Sequence, residues 1–321
     1  MSSSYDKAEI IAADDIRHHI CKMSPEEFNN YTISAKILGR GAFGMVRVGN
    51  DKRTDTQVAV KVINKQRLSA DDLKNIAREC NICSQLYHPH IVQIYGGYED
   101  EHQMYWLLSL AKGGDLLLWI RSLQEPLTSS EIRYVFKQLV EAVSYCHNKN
   151  IIHRDIKFEN ILLKDEVYSY DSADKCDILL SDFGFSINQE PNGPLLEDFP
   201  GTPHYAAPQL LRGIPYKGRA ADIWSMGVCL YGLAARELPF TDKRDDIDEI
   251  NYQIMFVNPR LPRDIDPGLK NLIDQMLQKQ EHLRIDMAGI LSDPWYLDRD
   301  GKSSVADHHF DQSYNPYDDL S

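Results

Sequence analysis

Between residues 31 and 110 the chain alternates apolar and polar positions in short runs. YTISAKIL, MVRVG, TQVAVKVI, IVQIYGGY and QMYWLLSL are each rich in β-branched or aromatic side chains and bounded by turn residues, the signature of strands. One helical pattern interrupts them. Leu73, Ile76, Cys80, Cys83 and Leu86 recur three or four apart behind Ser69, a candidate N-cap. Beyond residue 111 the period changes. Thr128 and Glu131 make a T-x-x-E capping box, and Ile132, Val135, Phe136, Leu139, Val143 and Cys146 lie on one face of a long helix ending near His147. Short strands surround the segment 151–184, and further helices are expected from about 219, 246 and 268. The pattern predicts an α+β chain: a strand-rich part over 31–110 and a mostly helical part over 111–297. Residues 1–30 are polar, with a weak helical pattern around Ile10–Ile20, and read as an N-terminal extension. Residues 298–321 are polar and acidic without periodicity and read as a flexible tail. No internal repeat is present.

Composition narrows the function classes. At 321 residues and 43% hydrophobic, the chain can bury a sizeable core. Its formal net charge of −13 makes it a poor binder of nucleic acid or anionic membrane, because phosphate backbones attract clustered Lys and Arg. No apolar run is long enough to cross a bilayer; the stretch near Met226–Ala235 falls far short. The N-terminus lacks a charged-then-apolar signal sequence. Cysteines stand at 21, 80, 83, 146, 176 and 229 with no disulfide pattern. Cys80 and Cys83 form a CxxC without a second ligand pair, so they read as two small apolar residues on one helix face rather than a zinc site. A reducing intracellular setting is expected, cytoplasmic and with the nucleus also open.

Three motifs carry chemistry. The first is GRGAFGMV, with Gly39, Gly41, Gly44 and Val46. Glycines let a backbone approach phosphates closely and offer unhindered N–H donors. A dinucleotide-binding fold would follow such a loop with a helix; here strands follow. The second is Lys61 in the apolar strand QVAVKVI. A buried ammonium needs an anion, and Glu79 is the candidate, sharing a helix face with Ile76 and Cys83. The pair would hold the α- and β-phosphates of ATP. The third is HRDIKFEN, with Asp155, Lys157 and Asn160, followed by Asp182-Phe183-Gly184. Phosphoryl transfer needs a carboxylate beside the attacking hydroxyl, oxygen ligands for Mg²⁺ and positive charge on the migrating group. Asp155 suits the first role, Asn160 and Asp182 the second, and Lys157 the third.

With these motifs in this order, residues 31–297 resemble a eukaryotic protein kinase catalytic domain. GTP at 201–203, Ala207-Pro208, DIWSMG at 222–227 and Arg284 agree. HRDxK and GTPHY resemble the Ser/Thr kinases, and HPHIV, GTPHYAAP and DPWYL most resemble the calmodulin-dependent and AMP-activated group. The resemblance implies a bilobal α+β fold with a small β-rich N-lobe (31–110) and a larger helical C-lobe (111–297). It implies ATP and Mg²⁺ as cofactors and protein substrates with Ser/Thr acceptors. It also implies that Thr202 bridges Asp155 and Lys157, and that the linker Ser109-Leu110-Ala111 offers backbone groups to adenine. Asp115 would reach the ribose, or simply cap a helix. Val46, Ala59 and Leu162 would sandwich the adenine ring, or simply pack a core. A kinase-like binding module without activity is opposed by the presence of Lys61, Asp155, Asn160 and Asp182. A small-molecule phosphotransferase is opposed by the GTPHYAAP segment.

Four departures from the family pattern stand out. Phe158 occupies a position where proline is usual. Twenty-one residues separate Asn160 from Asp182, and the extra piece around DEVYSYDSADKCD is expected as a surface loop. Gln209 replaces a glutamate that pairs with the residue matching Arg284, so a weaker but surviving tie is expected. Asp198, preceded by Glu197, stands where many relatives carry an activating phosphothreonine. The other basic positions expected around such a phosphate are occupied by Ile187 and Asn75, so the cationic cluster reads as reduced to Arg154.

Overall fold

The computed structural model describes residues 22–41, 43–167 and 176–298. The helical pattern around Ile10–Ile20, the tail from 299 onward and the centre of the polar insert, 168–175, lie outside the described residues. The five strand-like stretches form one antiparallel sheet: β1 (Tyr31–Arg40), β2 (Gly44–Asp51), β3 (Thr56–Asn64), β4 (Ile94–Glu99) and β5 (Gln103–Leu108), in spatial order β1-β2-β3-β5-β4. Register decides what this sheet presents. Val46 lies opposite Lys61, and Val48 opposite Ala59. Because side chains alternate across a strand, Val46, Ala59 and Lys61 share one face.

Two helical segments pack on the sheet. Residues ahead of β1 close its outer side: Lys22 bridges Gly97, a single turn α1 (Pro25–Phe28) follows, and Phe28 stacks on Tyr98 with ring centroids 4.3 Å apart. The end of the stretch read as a polar extension is therefore docked. The other segment is α2 (Ala70–Ser84), capped by Ser69 in a reciprocal box with Asp72. Its Ile76 and Cys80 join Ile63, Ile94, Met104 and Trp106 in the N-lobe core. Cys80 thus packs as an apolar residue, and Cys83 packs against both this core and the larger one below.

The C-lobe comprises α3 (Leu116–Ser122), α4 (Ser129–Asn148), α5 (Pro208–Leu211), α6 (Gly218–Ala235), α7 (Ile247–Phe256), α8 (Pro267–Met276) and α9 (Met287–Ser292). The Thr128–Glu131 box caps α4 as read from the sequence. Helix α6 is apolar almost all round, which demands burial on every side: Trp224, Met226, Cys229 and Leu230 are all at 0% exposure. Each large side chain so buried contributes about 1.5–3 kcal/mol. Two small antiparallel pairs sit above this axis. β6 (Ile151–Ile152) pairs with β9 (Ile187–Asn188), and β7 (Ile161–Leu163) with β8 (Ile178–Leu180). Between them they clamp both ends of the loop 153–160 and the start of the segment at Asp182. The far end of the polar insert is not a surface loop. Cys176 is completely buried, and its carbonyl accepts from Gln138 Nε2 at 3.1 Å.

Candidate active site

The cleft between the lobes is built from both. On the upper side, Lys61 Nζ meets Glu79 Oε1 at 2.5 Å, with side-chain exposures of 17% and 5%. Burial works against the ammonium; the Glu79 charge, its hydrogen bond and the nearby Asp182 outweigh that and hold the Lys61 pKa above its ordinary value. Around the loop at the head of the cleft, Gly41 N–H bonds to Gly44 O at 2.9 Å. A Cβ at Gly39 or Gly41 would touch nothing within 4 Å, so space for a ligand lies open there. Gly44 differs: its Cβ would fall 2.0 Å from Val62 O, so its glycine is demanded by the close approach of β3. Ala59 is buried, while Val46 and Leu162 are half-buried, leaving part of their apolar surface on the cleft.

Ser109 and Ala111 lie in the linker that follows β5. Ser109 N–H is spent on Gln93 O at 2.8 Å, and its hydroxyl accepts from Gln93 N–H at 2.9 Å. Among the described residues no partner reaches the Ala111 N–H or the Ser109 carbonyl. Asp115 caps α3, its Oδ1 accepting the Leu118 N–H at 2.8 Å, which leaves Oδ2 without a protein partner among the described residues. The cap is a fact of the structure; contact with a ribose belongs to the proposal below.

On the lower side, one carboxylate gathers the catalytic loop. Asp155 Oδ2 accepts from Asn160 Nδ2 at 2.9 Å and pairs with Lys157 Nζ at 2.8 Å. Lys157 Nζ also donates to Thr202 Oγ1 at 2.9 Å, and that hydroxyl faces Asp155 Oδ1 at 3.4 Å. The bridge inferred from resemblance is thus in place. Gly201 makes it possible. Its φ of +98° favours glycine, and a Cβ would fall 2.9 Å from Arg154 O. The Asn160 amide nitrogen is committed to Asp155, and its Oδ1 has no hydrogen-bond partner among the described residues. Asp182 sits at a φ of 62°, its Oδ1 accepting Gly184 N–H at 3.3 Å and its charge felt by Lys61. Two hard oxygen donors, one of them on the acid whose charge Lys61 feels, fit Mg²⁺, which takes few protein ligands and completes its shell with water and phosphate.

Three contributors were given no role of their own in the sequence reading. Asp222, 1% exposed, accepts the His153 N–H at 3.0 Å, the Arg154 N–H at 2.9 Å and His147 Nε2 at 2.9 Å. Burial opposes its charge; the hydrogen bond from His147, the imidazoles of His147 and His153 and the Arg154 N–H hold its pKa below the usual carboxylate range. An aspartate inside an all-apolar helix needs partners, and that signal could have found it. Arg78 is the second: it donates to Asn75 Oδ1 at 3.0 Å and feels both Arg154 and Asp198. The cationic cluster is therefore larger than the sequence indicated. Third, Phe183 closes the floor, 2% exposed and edge-on to His153 at 4.8 Å.

The activation segment is held down. Arg154 Nη1 bonds both oxygens of Asp198, at 2.7 and 2.6 Å, while its Nε bonds Phe185 O at 2.7 Å. One nitrogen straddles the carboxylate, so this is not the parallel two-nitrogen fork. Tyr216 Oη adds a bond to Asp198 O at 3.0 Å.

A family model described as protein kinase domain matches residues 32–296. The chain is 35% identical over 260 residues to serine/threonine-protein kinase SIK1 of Mus musculus, with 81% of this chain and 32% of that protein covered. The protein of the same name from Rattus norvegicus matches with the same identity and coverage. The chain therefore spans about a third of the length of these relatives. Their names agree with the Ser/Thr pattern read from HRDxK. By the matched model and by the geometry of the cleft, this chain belongs to the protein kinase domain family.

Proposed function

We propose that the chain is a protein kinase that uses ATP and Mg²⁺ to phosphorylate serine and threonine side chains of protein substrates. The observation that carries this reading is the Asp155–Lys157–Thr202–Asn160 constellation facing the Lys61–Glu79 pair across one cleft. Adenine would lie between Val46, Ala59 and Leu162 with its edge on Ser109 and Ala111, and the ribose near Asp115. Gly39 and Gly41 leave room for the phosphates, and Lys61 pairs with their inner charges. Asn160 and Asp182 would hold Mg²⁺, which when bound neutralises charge on the transferring phosphate. Asp155 orients the substrate hydroxyl and receives its proton as that oxygen attacks the γ-phosphorus. The bond to the β–γ bridging oxygen breaks and ADP leaves, while Lys157 offsets charge on the migrating group.

The test is incubation with radiolabelled ATP, Mg²⁺ and mixed protein substrates, followed by phosphoamino-acid analysis. Phosphoserine and phosphothreonine are expected, with scarcely any phosphotyrosine. Asp182→Asn keeps the shape of the site and removes one charge from it; turnover should fall by orders of magnitude while the fold persists. Mainly phosphotyrosine, or an Asp182→Asn variant with near-parental turnover, would overturn the reading.

A further inference from the structure

The catalytic loop has an unusual member. Phe158 lies between Lys157 and Asn160 in a single 3-10 turn, Phe158–Asn160, and its side chain is only 2% exposed. Where related loops are stiffened by proline, this one carries a residue with a free φ and a backbone N–H. Something else must fix it.

The ring points down onto α6. A Cβ built at Gly232 would lie 2.5 Å from Phe158 Cε2 and 2.7 Å from Cζ. Real Cβ atoms do not approach that closely, so Gly232 is a seat cut to the ring. A glycine inside a helix costs about 0.5–1 kcal/mol relative to alanine; here the missing methyl is what admits Phe158. The ring's other neighbour is Tyr205, met edge-on at 89° with centroids 6.4 Å apart. Tyr205 belongs to the turn Pro203–Tyr205, directly after Thr202. Its carbonyl accepts Ser225 Oγ of α6 at 2.8 Å. One aromatic residue therefore ties the catalytic loop, the central helix and the turn carrying Thr202.

We propose that Phe158 seated on Gly232 is the positioning pair of the catalytic loop, setting where Asp155 and Lys157 stand relative to Thr202. The pair acts on the placement of reacting groups and not on nucleotide capture, because Lys61, Glu79 and the linker lie on the other side of the cleft. The proposal rests on the kinase reading above.

The experiment measures kcat, KM for ATP and for a Ser/Thr peptide, nucleotide Kd and Tm for the full chain, Gly232→Ala, Phe158→Leu and the double variant. Active sites are counted by nucleotide titration, so that lost fold is not mistaken for lost turnover. Gly232→Ala should lower kcat about tenfold or more, since misplacing a catalytic group by about 1 Å can cost on the order of 10²-fold. KM for ATP and nucleotide Kd should stay within about twofold, the placement effect being confined to the transfer step. Adding Phe158→Leu, which removes the clashing ring edge, should recover most of the lost kcat. A glycine kept for bland reasons predicts instead a helix stabilised by alanine and an unchanged kcat. If Gly232→Ala yields no folded protein, Phe158→Leu alone carries the test: kcat reduced with nucleotide Kd kept supports the pair, and a parental kcat overturns it. A parent that transfers phosphate while Gly232→Ala keeps parental kcat also overturns it, as does a double variant no better than Gly232→Ala. A parent that transfers no phosphate overturns the kinase reading itself, and the proposal with it.

Discussion

Two ion pairs hold the two halves of the cleft, and they differ in burial rather than in distance. Lys61–Glu79 is closed at 2.5 Å with both side chains largely out of water, at 17% and 5% exposure. Arg154–Asp198 is closed at 2.6 Å, yet its acid is 61% exposed while its guanidinium is 5% exposed. In the first pair each charge depends on the other, because removing one partner of a buried pair strands the other in low dielectric. In the second, the acid has water as an alternative and only the guanidinium is committed. Similar contact geometry therefore carries different weight: the upper pair is a fixed part of the proposed nucleotide site, and the lower pair is a latch.

Breaking the upper pair should produce the largest effect. Glu79→Gln preserves shape but leaves the Lys61 ammonium facing an amide, with only Asp182 nearby to attract it. Lys61 would turn toward Asp182 and away from the phosphates. The expected fall in kcat/KM is on the order of 10²-fold, the scale of a misplaced catalytic group, with nucleotide still bound. A steady-state assay beside a nucleotide-binding titration separates the two. Parental kcat/KM in Glu79→Gln would show that α2 does not position Lys61.

Breaking the latch should cost less. The family pattern read from the sequence places a phosphate here in many members, and a phosphate brings about −1.5 to −2 charges to a basic cluster. Asp198 brings one charge, already seated on Arg154, with Arg78 adding cationic field behind it. Phosphatase-treated protein is therefore expected to keep substantial activity. Asp198→Ala should lower it a few-fold and up to about tenfold, because half-exposed pairs contribute roughly 0.2–1 kcal/mol and Arg154 is left without its anion. Activity measured before and after phosphatase, on parent and variant together, decides the matter. Loss of activity on dephosphorylation, or an indifferent Asp198→Ala, would remove the latch.

What the sequence could and could not reveal divides along the same line. Strands β1 to β5 and the capped helices α2 and α4 follow from periodicity and caps, which are local. Lys61, Glu79, Asp155, Asn160 and Asp182 follow from chemistry at fixed order along the chain. Their convergence in one cleft is what the fold adds. Short α3 entered only through the capping alternative for Asp115, because LLLWI is apolar without a period. The role of Asp222 escaped because the N–H groups it anchors belong to residues 69 and 68 positions away. Arg78 escaped because adjacency to Glu79 says nothing about Asp198 across the cleft. Phe158 was visible as a departure, but its seat on Gly232 exists only once α6 runs beneath the loop.

The smallest expected effect sharpens the comparison with a third contact, one that has lost an acid altogether. Gln209 ties α5 to Arg284: Arg284 Nη2 donates to Gln209 Oε1 at 3.0 Å, and Gln209 Nε2 donates to the Lys279 carbonyl at 2.6 Å. The amide thus uses both ends, and the tie expected to be weak is complete in hydrogen bonds. Gln209→Glu would add charge assistance toward Arg284. It would also place a carboxylate oxygen against the Lys279 carbonyl and lose that bond, an opposing cost of similar size. The net change in stability should stay within about 1 kcal/mol, read as a small shift in Tm. Its pH dependence is more telling. Burial pushes Lys279 down to about 7, with Arg284 adding repulsion, against an ordinary value of 10.5. Above about pH 7 the folded protein has released that proton while the unfolded chain still holds it, so stability should rise with pH from about 7 toward 10. Below about 7 both states hold it, and the cost of the buried charge is felt in full. A carboxylate at 209 raises the folded pKa of Lys279 and flattens that slope. Denaturation midpoints between pH 6 and pH 9 on parent and Gln209→Glu test it, and equal slopes would mean that residue 209 does not govern the charge of this corner.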